Sequence, residues 1–309
     1  MNGKRILISS LIVLIGAITI GCGSQETVPP EKLSIGVVSY GEGASSIDKF
    51  QRLKEYLEKE TNSMVELEPA YNELQAIEQI QGQRWDLVFA PPGLVAIALN
   101  QDRYIPLFPL ATLSSTGRAL LVVRAESPIQ SLNDLSNKVI ALGEKGSAAG
   151  YYIPLYDLYG LTLSEVRFAS VPRQILEWLS QGTVDAGALS EADFEQYRKE
   201  FSSTNFRILH TSRLIPSGAV LLGPNVDRNR QELIRQAMSE APADITADTG
   251  YLPTNPPIDY KTFVELVGKV SPLEERVRQK PAVLTMEQST PETATDEATP
   301  VAAPTASSP

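Results

Sequence analysis

The 309-residue sequence predicts an α/β protein built as two lobes. Three observations carry that prediction. Short apolar strands alternate with amphipathic helical segments, the pattern of βαβ units on parallel sheets. The alternation pauses after Asn100 and restarts at Arg118. A further apolar strand, Ala219 to Gly223, then leads into helices after Asp227 that return to the first unit.

The elements follow in order. Leu33 to Tyr40 is a buried-strand pattern ending in the small-residue run Gly41-Glu42-Gly43-Ala44-Ser45-Ser46. From Ile47 to Thr61, Phe50, Leu53, Tyr56 and Leu57 fall at helical spacing. Met64 to Pro69 is a second strand and Asn72 to Gln81 a second helix. Arg84 to Ala90 is a third strand entering the corner Pro91-Pro92-Gly93, with Leu94 to Asn100 helical. In the second series, Arg118 to Arg124, Lys138 to Leu142, Val166 to Ala169, Val184 to Leu189 and Phe206 to His210 are strands. Ser131 to Leu135 is a helical turn, Gly143 to Tyr151 a small-residue loop opening a helix through Leu158, and Arg173 to Gln181 a helix. Crossings around residues 112–117 and 211–217 leave a cleft, and clefts beside strand C-termini are where small ligands sit.

The two ends read differently. Met1-Asn2-Gly3-Lys4-Arg5 precedes an apolar run from Ile6 to Ile20, the layout of a secretory signal. That run is shorter than the about 20 apolar residues of a spanning helix. Thr19-Ile20-Gly21-Cys22 resembles a bacterial lipobox, which implies a signal over 1–21 and lipidation of Cys22. An uncleaved signal anchor is the alternative; both place the rest of the chain outside the cytoplasmic membrane. Cys22 is the sole cysteine, so the fold carries no internal disulfide. Residues 22–31 read as a tether. From residue 281 to 309 the Pro, Thr, Ala and Ser composition offers too little apolar surface to offset ordering, so a disordered tail is expected.

Composition bounds the function. A hydrophobic fraction of 42% and a charged fraction of 21% belong to an ordinary globular protein. The net charge of −10, without a basic cluster in the folded part, argues against nucleic acid. A small anion is still compatible, because local donors rather than net charge hold it. No metal-ligand spacing, nucleophile–base pair or Walker loop appears, and His210 is the only histidine, read as structural or surface. No enzyme activity and no cofactor are expected.

Three segments carry a resemblance. Trp85-Asp86-Leu87-Val88-Phe89-Ala90-Pro91-Pro92 is one. Ser127-Pro128-Ile129 through Ser131-Leu132-Asn133-Asp134-Leu135 and Lys138-Val139-Ile140-Ala141 is the second, and Gly182-Thr183-Val184-Asp185-Ala186-Gly187-Ala188 the third. Together they resemble the phosphate/phosphite/phosphonate (PhnD-like) substrate-binding proteins of ABC importers, over roughly Leu33 to Gly223. The resemblance implies a type II periplasmic-binding-protein fold with an interlobe ligand cleft. It also implies a small phosphorus oxyanion or organophosphonate as ligand and ABC permease subunits as partners. On that basis the lobes are 32–115 with 213–280, and 116–212.

The family's anion signature is a Ser-Thr-Ser-Gly run at a helix start, where hydroxyls and backbone N–H groups converge on the ligand. Here it reads Ser147-Ala148-Ala149-Gly150, followed by Tyr151, so two hydroxyls are missing. Each neutral hydrogen bond lost is worth about 0.5–1.5 kcal/mol. The family often carries a histidine after the next strand; here Arg173 stands at or beside that position, with a planar fork suited to an oxyanion. An exposed charge on a helix start is the equal alternative for Arg173. Ser39 and Tyr40 end the first strand, Pro91 shapes a corner, and Ser114 lies at the first crossing. Asp185 corresponds to a family carboxylate near the ligand. A signalling or structural lipoprotein of the same fold, binding another small anion or polar solute or none, is the rival reading.

Overall fold

Strand β1 (Lys32–Val38) pairs in parallel with β2 (Met64–Ala70) on one side and β3 (Leu87–Ala90) on the other. In the computed structural model, which describes residues 31–38, 45–101, 104–111 and 117–285, these three strands form the parallel part of a five-stranded sheet. β11 (Ala219–Leu222) adds antiparallel to β3, and β4 (Ile105–Pro109) closes the order β2-β1-β3-β11-β4. Helices α1 (Ser45–Asp48), α2 (Gln51–Thr61), α3 (Glu73–Gln81) and α4 (Pro92–Gln101) fill the connections. α3 starts where it does because the Asn72 side chain accepts the Gln75 N–H at 2.9 Å, satisfying one orphan donor of the first turn.

The second sheet repeats this plan. β6 (Val139–Gly143) lies parallel between β8 (Glu165–Ala169) and β9 (Ala186–Ser190). β5 (Arg118–Arg124) is antiparallel to β9, and β10 (Phe206–Leu214) is antiparallel to β5, giving β10-β5-β9-β6-β8. Helical pieces intervene: a 3-10 turn at Leu132–Leu135, a π turn at Ala148–Tyr152 running into α5 (Ile153–Asp157), then α6 (Pro172–Ser180) and α7 (Glu191–Tyr197). β10 runs four residues beyond the expected end at His210, to Leu214, so the second crossing is shorter than the sequence suggests.

Burial sorts the helices into layers. α2, α8 (Arg228–Ser239) and α9 (Ala243–Thr249) share a cluster with one face of the first sheet, around Leu53, Leu57, Ile35, Phe89, Val220 and Ile234. α6 and α7 cover one face of the second sheet through Ile175, Leu176, Leu179 and Phe194. The remaining faces of both sheets meet in one continuous apolar core with α3, α4, α5 and α10 (Lys261–Val270). α10 packs on α4 of the first sheet and on α5 of the second. It buries Phe263, Leu266, Val267 and Val270, each worth about 1.5–3 kcal/mol when fully removed from water. The helix therefore serves both lobes, although the sequence places 213–280 with the first alone.

The C-terminal boundary is corrected. Residues 281–285, expected within a disordered tail, are ordered: β12 (Ala282–Val283) pairs antiparallel with β7 (Thr162–Leu163). Ala282 and Leu284 are fully buried, so two apolar side chains offset the cost of ordering.

Candidate functional site

β6 ends at Gly143, and after a short loop Ser147 caps the helical run 148–157. Its Oγ accepts the Gly150 N–H at 3.0 Å, and its carbonyl accepts the N–H groups of Tyr151 and Tyr152, each at 3.1 Å. The second of these is an i+5 bond, which makes the first turn a π turn. The Ser147 oxygen thus accepts within the loop, and its O–H is the donor the sequence offers to a ligand. Ala148 and Ala149 occupy the first turn, where backbone N–H groups have no carbonyl one turn back and the helix dipole favours negative charge.

Tyr151 lies directly behind. Its side chain is fully buried, edge-on to Tyr152 at 5.2 Å and tilted against Phe168 at 6.1 Å. Its hydroxyl is the one buried side-chain polar atom without a hydrogen-bond partner among the described residues. Burial, reinforced by Glu274, pushes this phenol well above its ordinary range. Lys145 pairs with Glu274 at 2.6 Å and so ties the loop to the segment after α10.

The first lobe meets this loop at two places. β3 ends at Ala90, Pro91 accepts the Val95 N–H at 3.0 Å, and Gly93 sits in the first turn of α4. A Cβ on Gly93 would overlap the Gly146 carbonyl oxygen and come within 2.9 Å of the Ala148 nitrogen. Gly146, at φ +106°, presses against α3: a Cβ there would lie 2.7 Å from Glu73 Cβ and 3.1 Å from its Cγ. Glu73 is only 8% exposed. The starts of α3 and α4 therefore converge on the start of the 148–157 run.

The sequence candidates divide accordingly. Pro91, Ser147, Ala148, Ala149 and Gly150 come together at the C-terminal edges of β3 and β6, with Tyr151 behind them. Asp185 does not join them. It precedes β9, and its carboxylate accepts the Val139 N–H at 2.9 Å, at the N-terminal edge of the sheet. β6 runs the whole of its length between Val139 and the loop, so this carboxylate holds the opposite end of the strand. Arg173 is engaged elsewhere: its Nε donates to Glu200 at 2.6 Å, its Nη1 to Glu177 at 3.4 Å, and its guanidinium lies 5.3 Å from the Phe201 ring centre. The Glu200 bond raises its pKa further. His210 pairs with Asp157 of α5 at 3.0 Å. Ser39, Tyr40, Ser114 and Cys22 lie outside the described residues.

Glu73, Gly93 and Gly146 escaped the sequence reading. Glu73 looks like an ordinary acid in a helix's first turn, and only the packing of α3 on the other lobe buries it. Among the described residues no group of three His, Cys, Asp or Glu could hold a metal ion. No described helix is long and apolar enough to cross a membrane.

Two five-stranded α/β sheets of matching order, joined by two crossings with helix starts meeting between them, define a type II binding-protein fold. The family model for the periplasmic substrate-binding protein of phosphonate ABC transporters matches residues 35–257. The chain belongs to that family and is a substrate-binding component of an ABC transporter. Solved structures agree on the fold. XAC2383 from Xanthomonas citri, solved bound to chloride ion, superposes with TM-score 0.66 at 20% identity, over 77% of this chain and 98% of that one. PhnD1 from Prochlorococcus marinus, in complex with methylphosphonate, gives 0.61 at 16%, over 78% and 98%. A binding protein of an ABC phosphonate transporter from Pseudomonas aeruginosa gives 0.57 at 15%, over 72% and 80%.

Proposed function

We propose that this receptor presents a small phosphorus oxyanion or organophosphonate to its ABC importer, holding it at the start of the 148–157 helical run. The observation that carries this is the Ser147 cap at the C-terminal edge of β6, with the α4 start facing it from the other lobe. The two alanines leave backbone N–H groups, the Ser147 O–H and the helix dipole to hold the anion, a weaker set than one with three hydroxyls. The role is capture and delivery without catalysis. Export followed by lipidation of Cys22 holds the protein at the outer face of the cytoplasmic membrane, where the permease subunits are within reach of the tether.

The ligands in the solved relatives support the ligand class: methylphosphonate in the Prochlorococcus protein and ATP in the Xanthomonas one, which also binds chloride. The second reading, a lipoprotein that binds another small anion, a polar solute or nothing, is favoured by the direct contact of Gly93 with Gly146 and Ala148. A thermal-unfolding panel of phosphate, phosphite, methylphosphonate, sulfonates and carboxylates separates the two. A true ligand at 100 times its Kd adds about 2.7 kcal/mol. If no phosphorus oxyanion shifts the transition, the proposed ligand class is wrong. A Cys22→Ser chain expressed in bacteria should leave the membrane fraction; retention there would remove the lipid anchor from the proposal.

A further inference from the structure

We infer that the segment from Tyr260 to Leu284 is a strap that sets how far the two lobes open, by fastening the crossings between them to the loop before the 148–157 run. The inference concerns the ligand-free chain and needs no particular ligand. After α9 the chain is still on the first lobe, where the Leu252 N–H donates to the Pro109 carbonyl at 2.9 Å. The buried Tyr260 hydroxyl then shares its proton between the carbonyls of Ser217 and Gly218 in the second crossing, at 2.8 and 3.2 Å. The Gly218 carbonyl also accepts the Leu110 N–H at 2.8 Å, and the Ile215 N–H donates to the Gly117 carbonyl at 2.7 Å. One phenol is therefore fixed where both crossings meet.

α10 follows at once, about 15 Å long at 1.5 Å per residue, and packs on α4 of the first lobe and α5 of the second. Beyond it Glu274 holds Lys145, next to Gly146, at 2.6 Å, both side chains being largely shielded from water. Arg278 then lies 4.9 Å from the Phe168 ring centre, and Lys280 pairs with Glu165 at 2.9 Å. Leu284 accepts the Gly160 N–H at 2.8 Å and donates to the Leu161 carbonyl at 2.9 Å. The segment that starts at the crossings thus ends on the second lobe, as a third connection made fast at both ends. Opening about the two crossings draws α4 away from α5, and α10 cannot follow both. The apolar face of α10 must then leave one lobe, or the strap must pull on its two ends. A rigid helix between two fixed ends carries that coupling, so loosening one end loosens the other.

The test is amide hydrogen exchange on the ligand-free full chain, read at bonded amides of both ends. Leu110 and Ile215 report on the crossings, and Gly150, Tyr151 and Tyr152 on the loop. Tyr260→Phe removes the bond at the crossings, and Glu274→Gln the ion pair at the loop. Asp248→Asn, which breaks a pair with Arg52 outside the strap, is the control. Tyr260→Phe should speed exchange at 150–152 several-fold, and Glu274→Gln should do the same at Leu110 and Ile215, with Lys145→Met reproducing the latter. The control should leave all five amides at wild-type rates, and the β5 amides paired with β9 should not change in any variant. Solution scattering should give the Tyr260→Phe, Glu274→Gln double variant a larger radius of gyration than the wild type. If each substitution speeds exchange only at its own end, the segment is ordinary packing and the inference fails. It fails equally if β5 speeds up as much as the reporters, or if the double variant scatters as the wild type does.

Discussion

Asp185 and Val139 exchange two hydrogen bonds at the base of the second sheet: Val139 N–H donates to Asp185 Oδ2 at 2.9 Å, and Asp185 N–H donates to Val139 O at 2.8 Å. The first sheet repeats the arrangement at the equivalent place. There Ser34 N–H donates to Asp86 Oδ2 at 2.8 Å and Asp86 N–H to Ser34 O at 3.1 Å. Both aspartates stand just before the third parallel strand of their sheet and clamp the central strand beside them. An aspartate read from sequence as a ligand contact is thus half of a repeated structural device.

Removing the clamp should cost stability and leave binding alone. A hydrogen bond to a charged group contributes about 1.5–3 kcal/mol, so Asp185→Ala should lower the unfolding free energy by an amount in that range, read as a lower urea midpoint with the m-value unchanged. Asp86→Ala should do the same, and the double variant should sum the two, because the sites lie in different sheets and share no partner. Ligand affinity in Asp185→Ala should equal that of the wild type; a tenfold loss would return this residue to the site.

Gly93→Ala probes the contact between lobes. The added methyl overlaps the Gly146 carbonyl oxygen, a backbone atom that cannot rotate away. Overpacking of this kind costs about 1–3 kcal/mol unless the parts separate. The expected result is a larger radius of gyration in solution scattering and faster proteolysis around residue 146. An unchanged scattering curve at wild-type stability would show that the contact yields locally.

Tyr151→Phe should be neutral to stabilising. The wild-type hydroxyl is buried without a hydrogen-bond partner among the described residues, and such a group costs about 1–3 kcal/mol. The ring, packed on Tyr152 and Phe168, is kept. A loss of more than about 1 kcal/mol on denaturant unfolding would mean the hydroxyl is satisfied in solution.

Asp193 gives the fold an identifiable pH dependence. Burial raises its carboxyl pKa, while the Ser190 hydroxyl and its bond to the Asp193 N–H hold the start of α7. A folded-state pKa above the unfolded value means the native state binds the extra proton. Its contribution is present below the ordinary carboxylate value of about 3.9 and is lost as pH rises through the raised value. Asp193→Asn removes that titration, so its stability relative to wild type should increase between acid and neutral pH. Paired urea unfolding series would refute this if the difference stayed flat or ran the other way.

The sequence by itself determined the alternation of strand and helix, because apolar spacing and turn residues are local properties. It placed the ends of β5 at Arg118 and Arg124 and a small-residue loop over 143–151 that opens a helix. It also carried the family, through three short segments that the match over 35–257 encloses. Tertiary structure decided what those segments do. Asp185 and Arg173 carry the right chemistry for a ligand, yet one clamps Val139 and the other pairs with Glu177 and Glu200. Ala282 and Leu284 sit in a low-complexity context and become ordered because β7 and the shared core accept them. The Ser147 loop, on which the anion reading rests, was legible as a helix start through the family resemblance, its cap only in the structure; its neighbour Glu73 was not legible at all. A side-chain stem 73 residues into the chain meets a glycine at 146 only after two sheets have folded and packed, and no local pattern encodes a contact of that separation.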